Sequence, residues 1–320
     1  MRYRRLGGSG LKLSELSLGS WLTAGARLGR GEMRELVALA WDHGVNFFDS
    51  AENYAHGEAE RVVGDVIADL RLPRDGFCVS SKVYFGSAPE PRPTQAGLSR
   101  KHVCDACHDA LRRLRVDYLD LFFCHRPDPD TPVSETVRAM DDLVRQGKVL
   151  YWGTSEWPAT LIREAVDLAR AHHLQPPTME QPQYNLLHRE RVELEYAPLY
   201  AEYGLGTTVW SPLASGLLSG KYDAGIPDGS RLSRAGTSTV LDGAEGQVRL
   251  QRARRFSAAA ADLGVAPAPL AIAWCLSNPH VSTVLLGASR RSQLEENLSA
   301  LELAGRFDEQ VWRRLEAAVR

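Results

Sequence analysis

A closed (β/α)8 barrel, the TIM-barrel form of the α/β class, is the fold that this 320-residue chain predicts, and three observations carry the prediction. Eight apolar runs of strand length recur along it, at residues 15–18, 45–49, 77–82, 118–125, 150–154, 178–181, 206–211 and 281–287. Runs that are apolar throughout, rather than alternating, belong to parallel strands covered on both faces. Amphipathic stretches of helical period separate them, and eight strand–helix units in one chain suit a closed barrel better than an open sheet. The open alternative, a doubly wound dinucleotide fold, requires G-x-G-x-x-G directly after its first strand. Gly8-Ser9-Gly10 has no such continuation, and Gly19-Ser20-Trp21 lacks the second glycine.

Residues 3–6 and 11–13 flank Gly7-Gly8-Ser9-Gly10 and read as an N-terminal hairpin ahead of the barrel. The basic opening Met1-Arg2-Tyr3-Arg4-Arg5 runs into glycines rather than an apolar core, so no signal peptide is expected. Val133, Val137, Met140, Leu143 and Val144 line one face of a helix, opened by Thr131-Pro132 and closed by Gly147. Leu161, Ala165, Leu168 and Ala169 repeat that pattern after Pro158. From Leu213 to about Gly246 the rhythm breaks into a long loop with Gly216, Gly220, Gly225, Gly229, Gly236 and Gly243. It follows the seventh barrel strand, at the face where such barrels do their chemistry, and is read as a lid over a ligand. Nothing marks a domain boundary, so residues 1–320 are expected to form a single domain.

A net charge of −2 and a pI near 6.5 leave no basic footprint for nucleic acid or an anionic membrane surface. Apolar runs are strand-sized and too short for membrane insertion. Five cysteines (Cys78, Cys104, Cys107, Cys124, Cys275) are too few and too scattered for a disulfide framework, which points to a cytoplasmic protein acting on small molecules. Cys104 and Cys107 form a lone C-x-x-C and read as two buried helix residues; no metal site is expected. The run Arg249, Arg252, Arg254, Arg255 reads as a solvated helix face, with a nucleotide or subunit contact as its alternative.

The chemistry concentrates where strands end. Asp49 ends the second barrel strand, Lys82 the third and His125 the fourth, while Tyr54 follows Asp49 by five residues. C-terminal strand ends converge on one mouth, so the four are expected to meet. A free tyrosine is a poor acid at neutral pH. An ammonium beside it lowers its pKa and eases proton donation, a carboxylate keeps that ammonium charged, and an imidazole orients a carbonyl or shares the proton. The set suits protonation of a carbonyl oxygen while hydride arrives from another source. Taken singly, Asp49 and Lys82 could be a strand-tying ion pair, His125 a loop histidine and Tyr54 a surface aromatic. Their joint placement favours the catalytic reading.

Several motifs now fall into one pattern: Tyr3-Arg4-Arg5-Leu6-Gly7, Ser9-Gly10-Leu11, Gly19-Ser20-Trp21, Phe48-Asp49 with Tyr54 and Gly57, Gly97-Leu98-Ser99-Arg100-Lys101-His102, His125-Arg126-Pro127-Asp128, Tyr151-Trp152-Gly153-Thr154-Ser155, Trp210-Ser211-Pro212-Leu213 and Leu286-Gly287-Ala288-Ser289. Over nearly its whole length the chain resembles the aldo-keto reductase superfamily, and within it the group of voltage-gated potassium channel β subunits and their bacterial relatives. The resemblance implies an NADP-dependent oxidoreductase that reduces an aldehyde or ketone to the alcohol, with Tyr54 as general acid supported by Asp49, Lys82 and His125. Channel-associated relatives usually carry asparagine where this chain has His125, and reductases of the wider superfamily carry histidine, which favours an enzyme. The alternative is a nucleotide-sensing accessory subunit of a membrane channel or other partner. Because the resembling group includes tetramers, a homo-oligomer is implied.

The resemblance also implies NADPH or NADP+ lying extended across the mouth. Ser155 and Gln181 match contacts to the carboxamide, and Trp210 the aromatic that stacks on the nicotinamide, although a strand-end tryptophan also serves as core filler. Ser20 and Trp21 belong to the same implied cofactor set. Ser211, Pro212, Leu213, Ser215, Gly216, Lys221 and Arg231 match residues that wrap the pyrophosphate. Gly287-Ala288-Ser289 opens a helix whose N–H groups attract anions, and Ser289 with Arg290 and Arg291 suits a 2′-phosphate. Gln293, Glu296 and Asn297 match the adenine side. Glu156 departs from the asparagine or arginine of relatives, either weakening cofactor binding or facing solvent. Substrate walls are expected from Trp21, Leu22, Tyr84, Phe85, Arg126 and Trp157, with Arg126 suited to an anionic aldehyde. Methylglyoxal-like, short sugar or aromatic aldehydes are the carbonyl substrates the resemblance suggests.

Overall fold

The apolar runs form the strands that the sequence predicts, in a computed structural model that describes residues 1–21, 23–25, 27–233 and 238–320. An antiparallel hairpin comes first, β1 (Tyr3–Arg5) against β2 (Lys12–Ser14). Among the described residues, eight parallel strands then close a barrel: β3 (Leu16–Gly19), β4 (Phe47–Asp49), β5 (Cys78–Val83), β6 (Leu119–Cys124), β7 (Val149–Thr154), β8 (Met179–Glu180), β9 (Gly206–Val209) and β10 (Thr283–Leu286). Neighbours in sequence are neighbours in the sheet, and β10 returns to β3 with Val284 opposite Leu16.

Helices cover the outside: α1 (Arg30–Asp42), α2 (Glu58–Leu70), α3 (Arg100–Leu114), α4 (Val133–Arg145), α5 (Ala159–Ala171), α6 (Ala197–Tyr203), α7 (Gly243–Asp262), α8 (Pro267–Ser277), α9 (Arg291–Leu298), α10 (Ala300–Leu303) and α11 (Glu309–Ala318). Their ends follow local chemistry. Ser99 caps α3 by accepting from the His102 backbone N–H. Pro132 precedes α4, and the chain leaves it through Gly147 at φ 69°. Among the described residues no single helix is long and apolar enough to cross a membrane.

Two apolar layers meet at the barrel wall because successive strand side chains point to opposite faces. Phe48, Val79, Phe122 and Trp152 face outward into the main core under the helices. Phe47, Cys78, Leu121, Phe123, Met179 and Leu285 face inward, and the hairpin plugs this inner cluster with Leu6 and Leu13. Each such buried side chain contributes roughly 1.5–3 kcal/mol. The C-x-x-C pair sits on α3 with Cys107 buried but Cys104 only half-buried, a correction to the expectation of two buried residues. Burial pushes the Cys107 thiol up to about 12, far from a reactive thiolate. The long loop contains 3-10 turns at Ala214–Ser219 and Ser238–Leu241 before α7 begins at Gly243. Gly236 lies outside the described residues.

Candidate active site

Strand alternation carries the inner face upward into the barrel mouth. Two residues beyond inward Phe47 comes Asp49, two beyond Ser80 comes Lys82, and two beyond Phe123 comes His125. Tyr54 opens a tight turn, Tyr54–Gly57, in which Ala55 (φ 48°) and His56 (φ 55°) are left-handed. Holding two such residues costs about 1–2 kcal/mol each, a strain that brings the phenol back over the strand ends.

The four groups meet. Lys82 Nζ donates to Asp49 Oδ2 at 2.6 Å and to the Ser50 carbonyl at 2.6 Å, and it stands 4.8 Å from the centroid of the Tyr54 ring. The other Asp49 oxygen accepts from Ser80 Oγ at 2.7 Å and from Gln181 Nε2 at 3.1 Å. The His125 ring packs edge-on to Tyr54, centroids 5.8 Å apart, and its buried Nδ1 has no hydrogen-bond partner among the described residues. Lys82 is wholly buried beneath the half-buried Tyr54, while Asp49, Tyr54 and His125 line an open cleft.

The electrostatics correct one expectation. The Tyr54 phenol is pushed well above its ordinary value, by burial and then by the Asp49 charge, with Arg126 opposing. The lowering expected from the Lys82 ammonium does not prevail: burial and the Asp49 carboxylate that pairs with it carry the balance upward. Burial draws Lys82 itself down while Asp49 holds it up, and burial with Lys82 and Arg126 takes His125 well below its usual value. At neutral pH the site therefore presents a protonated phenol beside a neutral imidazole, a combination able to hold a carbonyl oxygen and give it a proton.

The cleft has a volume of about 730 Å³. At its catalytic end Trp21 lies 6.5 Å from Tyr54 and 6.2 Å from Trp210, ring to ring. Ser155, Gln181, Arg126 and Phe85 also line it. Ser211, Pro212, Leu213, Ser215, Gly216, Lys221 and Arg231 come from the loop after β9, with the Arg231 guanidinium 4.6 Å from the Trp21 ring centroid. A Cβ on Gly216 (φ 93°) would stand 2.7 Å from Lys221 Nζ, so glycine is what lets the lysine fold in. Gly287, Ser289, Arg290, Gln293, Glu296 and Asn297 line the wall contributed by β10 and α9. There the Ser289 backbone and hydroxyl both donate to Gln293 Oε1, and Arg291 pairs with Glu295.

Three expected positions fall elsewhere. Ser20 follows inward Gly19 and so points away, donating to Ser50 Oγ at 3.0 Å. Trp157 is 2% exposed and lines a separate cavity with Leu98, Pro127 and Pro132. The cause is Glu156, whose left-handed backbone (φ 58°) breaks the alternation that would have turned Trp157 inward. Tyr84 lies behind Phe85, ring centroids 4.9 Å apart, and Phe85 instead meets His125 at 5.2 Å. Leu22 lies outside the described residues. Glu156 does not simply face solvent: its carboxylate accepts from the Gln183 backbone N–H at 2.6 Å and from Trp210 Nε1 at 3.0 Å, and pairs with Arg191 at 2.6 Å.

A family model described as the aldo/keto reductase family matches residues 15–320. The chain belongs to the aldo/keto reductase family. It is 45% identical over 304 residues to an Arabidopsis thaliana protein named "Probable voltage-gated potassium channel subunit beta", covering 95% of this chain and 92% of that one. A protein of the same name from Oryza sativa subsp. japonica is 45% identical over 320 residues, covering 100% of this chain and 97% of the relative.

This aldo/keto reductase holds a further polar pair that spacing along the chain does not reveal. Glu52 accepts from the backbone N–H groups of Tyr84 (2.8 Å) and Gly86 (2.9 Å), which aims Phe85 at His125. Its second oxygen lies 3.2 Å from His102 Nε2, and His102 Nδ1 meets the Gly97 carbonyl at 2.8 Å. Burial lowers the imidazole pKa, but the Glu52 carboxylate and the carbonyl outweigh it and raise it on balance. Glu52 sits inside the motif that announces Tyr54, yet its partners lie 32 to 50 residues away in sequence.

Proposed function

We propose that this protein is an NADPH-dependent reductase of aldehydes or ketones in which Tyr54 is the proton donor. The observation that carries the reading is the convergence of a protonated Tyr54, the buried Lys82–Asp49 pair and neutral His125 at the mouth of a family-typical barrel. The cleft suits a dinucleotide in size, within the range of about 300–1,000 Å³ usual for ligand pockets. Ser155, Gln181 and Trp210 would hold the nicotinamide end, Lys221 and Arg231 the pyrophosphate, and Ser289 with Arg290 the 2′-phosphate. When bound, NADPH supplies the hydride that the carbonyl carbon receives. Tyr54 Oη gives its proton to the carbonyl oxygen, His125 orients that oxygen, and the nearby Lys82 ammonium stabilises the phenolate as it forms.

A panel of aldehydes and ketones, run with NADPH and with NADH and followed by absorbance, tests this reading. Carbonyl-dependent oxidation of NADPH, with NADH clearly poorer, is expected; equal or better use of NADH would remove the role given to Ser289 and Arg290. A second reading draws on the names of the relatives: an accessory subunit whose bound nucleotide regulates a membrane channel. Tight NADPH binding with negligible turnover on every carbonyl, together with co-purification of a membrane partner, would favour it. His125 in place of asparagine favours the enzyme. Cytoplasmic location, one domain over residues 1–320 and a homo-oligomeric state belong to the same proposal.

A further inference from the structure

We propose that Arg126 forms an anion-binding subsite at the catalytic end of the cleft, selecting small aldehydes and ketones that carry a carboxylate or phosphate group. The proposal rests on the carbonyl-reductase reading above. Arg126 leaves the end of β6 directly after His125 and lines the cleft half-buried. Its Nη1 donates to the His125 carbonyl and, at 3.5 Å, to Ser155 Oγ. Its Nε and Nη2 donate to no protein atom among the described residues, and no carboxylate there lies within ion-pair distance of it. Arg74, Arg189 and Arg191, half-buried like Arg126, each hold a carboxylate.

The charges of Asp49, Tyr54, Lys82 and His125 cancel among themselves. Asp49 and Lys82 neutralise each other at 2.6 Å, and His125 is held neutral by burial and its cationic neighbours. Arg126 is left as an uncompensated cation whose charge reaches Tyr54, Lys82 and His125. Its guanidinium stands 5.7 Å from the centroid of Phe85, the ring packed against His125. A carbonyl set between Tyr54 and His125 would therefore carry its substituent toward Phe85 and Arg126. An apolar substituent meets only the ring there, whereas an anionic one also gains charge-assisted hydrogen bonds from the free edge of the fork. Arg27 and Arg231 also line the cleft, Arg231 over Trp21, and the test isolates Arg126 from them.

The test compares matched substrates with NADPH saturating: 4-oxobutanoate with its methyl ester, and glyceraldehyde 3-phosphate with glyceraldehyde. In at least one pair the wild-type kcat/KM is expected to favour the anion by roughly 10-fold or more, mainly through KM, in line with a charge-assisted hydrogen bond. Arg126→Gln should collapse that ratio toward unity, Arg126→Lys should keep part of it, and rising ionic strength should shrink it in the wild type alone. Preference in the first pair assigns a carboxylate ligand and in the second a phosphate. The absence of anion preference in both pairs, or a preference that survives Arg126→Gln, overturns the proposal. If neutral aldehydes are turned over in that case, the carbonyl-reductase reading still stands; if no carbonyl is reduced at all, it falls with the subsite.

Discussion

The carboxylate of Glu156 accepts the indole Nε1–H of Trp210 at 3.0 Å while its other oxygen pairs with Arg191 at 2.6 Å. The indole is thereby fixed at the edge of the cleft, its centroid 6.2 Å from that of Trp21 and the two rings nearly perpendicular. If the indole face receives a nicotinamide, Glu156→Ala frees the ring and should raise the NADPH Kd by roughly 3- to 10-fold, about 0.7–1.4 kcal/mol, the net worth of one ordinary hydrogen bond. Fluorescence titration with NADPH checks this, and an unchanged Kd would show that the indole needs no such anchor.

Glu180 gives a pH prediction. Its carboxyl is buried against Thr154 Oγ1, the Tyr196 hydroxyl and the Glu156 neighbourhood, and burial pushes it up to about 8. The folded state thus keeps a proton that the unfolded chain loses near its ordinary value of 4.5, so the stability it contributes is fully present below that pH and is lost as pH rises through about 8. Glu180→Gln mimics the protonated form. It should match the wild type at pH 4–5 and exceed it at pH 9 by several degrees in Tm, on the order of a few kcal/mol. Parallel melting curves across pH would contradict the assignment.

Breaking the buried pair should be costly. Lys82→Met leaves Asp49 charged beneath Tyr54 with Ser80 and Gln181 as its remaining partners. A loss of about 3–5 kcal/mol in stability is expected from such a stranded charge. The double variant Lys82→Met with Asp49→Leu should recover much of it while remaining inactive. Denaturant titration of the three proteins measures the recovery, and a double variant less stable than the single one would refute the coupling.

The alternation of strand side chains explains why so much of the site was legible in sequence. Asp49, Lys82 and His125 each continue an inward-facing series, so strand positions alone bring them together. Reading failed where the backbone leaves the strand. Glu156 at φ 58° turns Trp157 away, and the Glu52 carboxylate, by holding the N–H groups of Tyr84 and Gly86, sets Phe85 beside His125 and leaves Tyr84 behind it. Left-handed turns and contacts across 30 residues leave no periodic mark. The phenol's direction is lost on sequence for a related reason: spacing does not say how deeply Tyr54 is buried, and burial together with the Asp49 charge outweighs the nearby ammonium.

Tyr54 as the proton donor is tested most directly by Tyr54→Phe, because the ring and its contacts with Trp21, Lys82 and His125 remain. NADPH affinity by fluorescence should stay within about 3-fold of wild type, while carbonyl-dependent NADPH oxidation falls by roughly 100-fold or more, the usual worth of a positioned general acid. A Tyr54→Phe protein that binds NADPH and keeps most of its turnover would contradict the account.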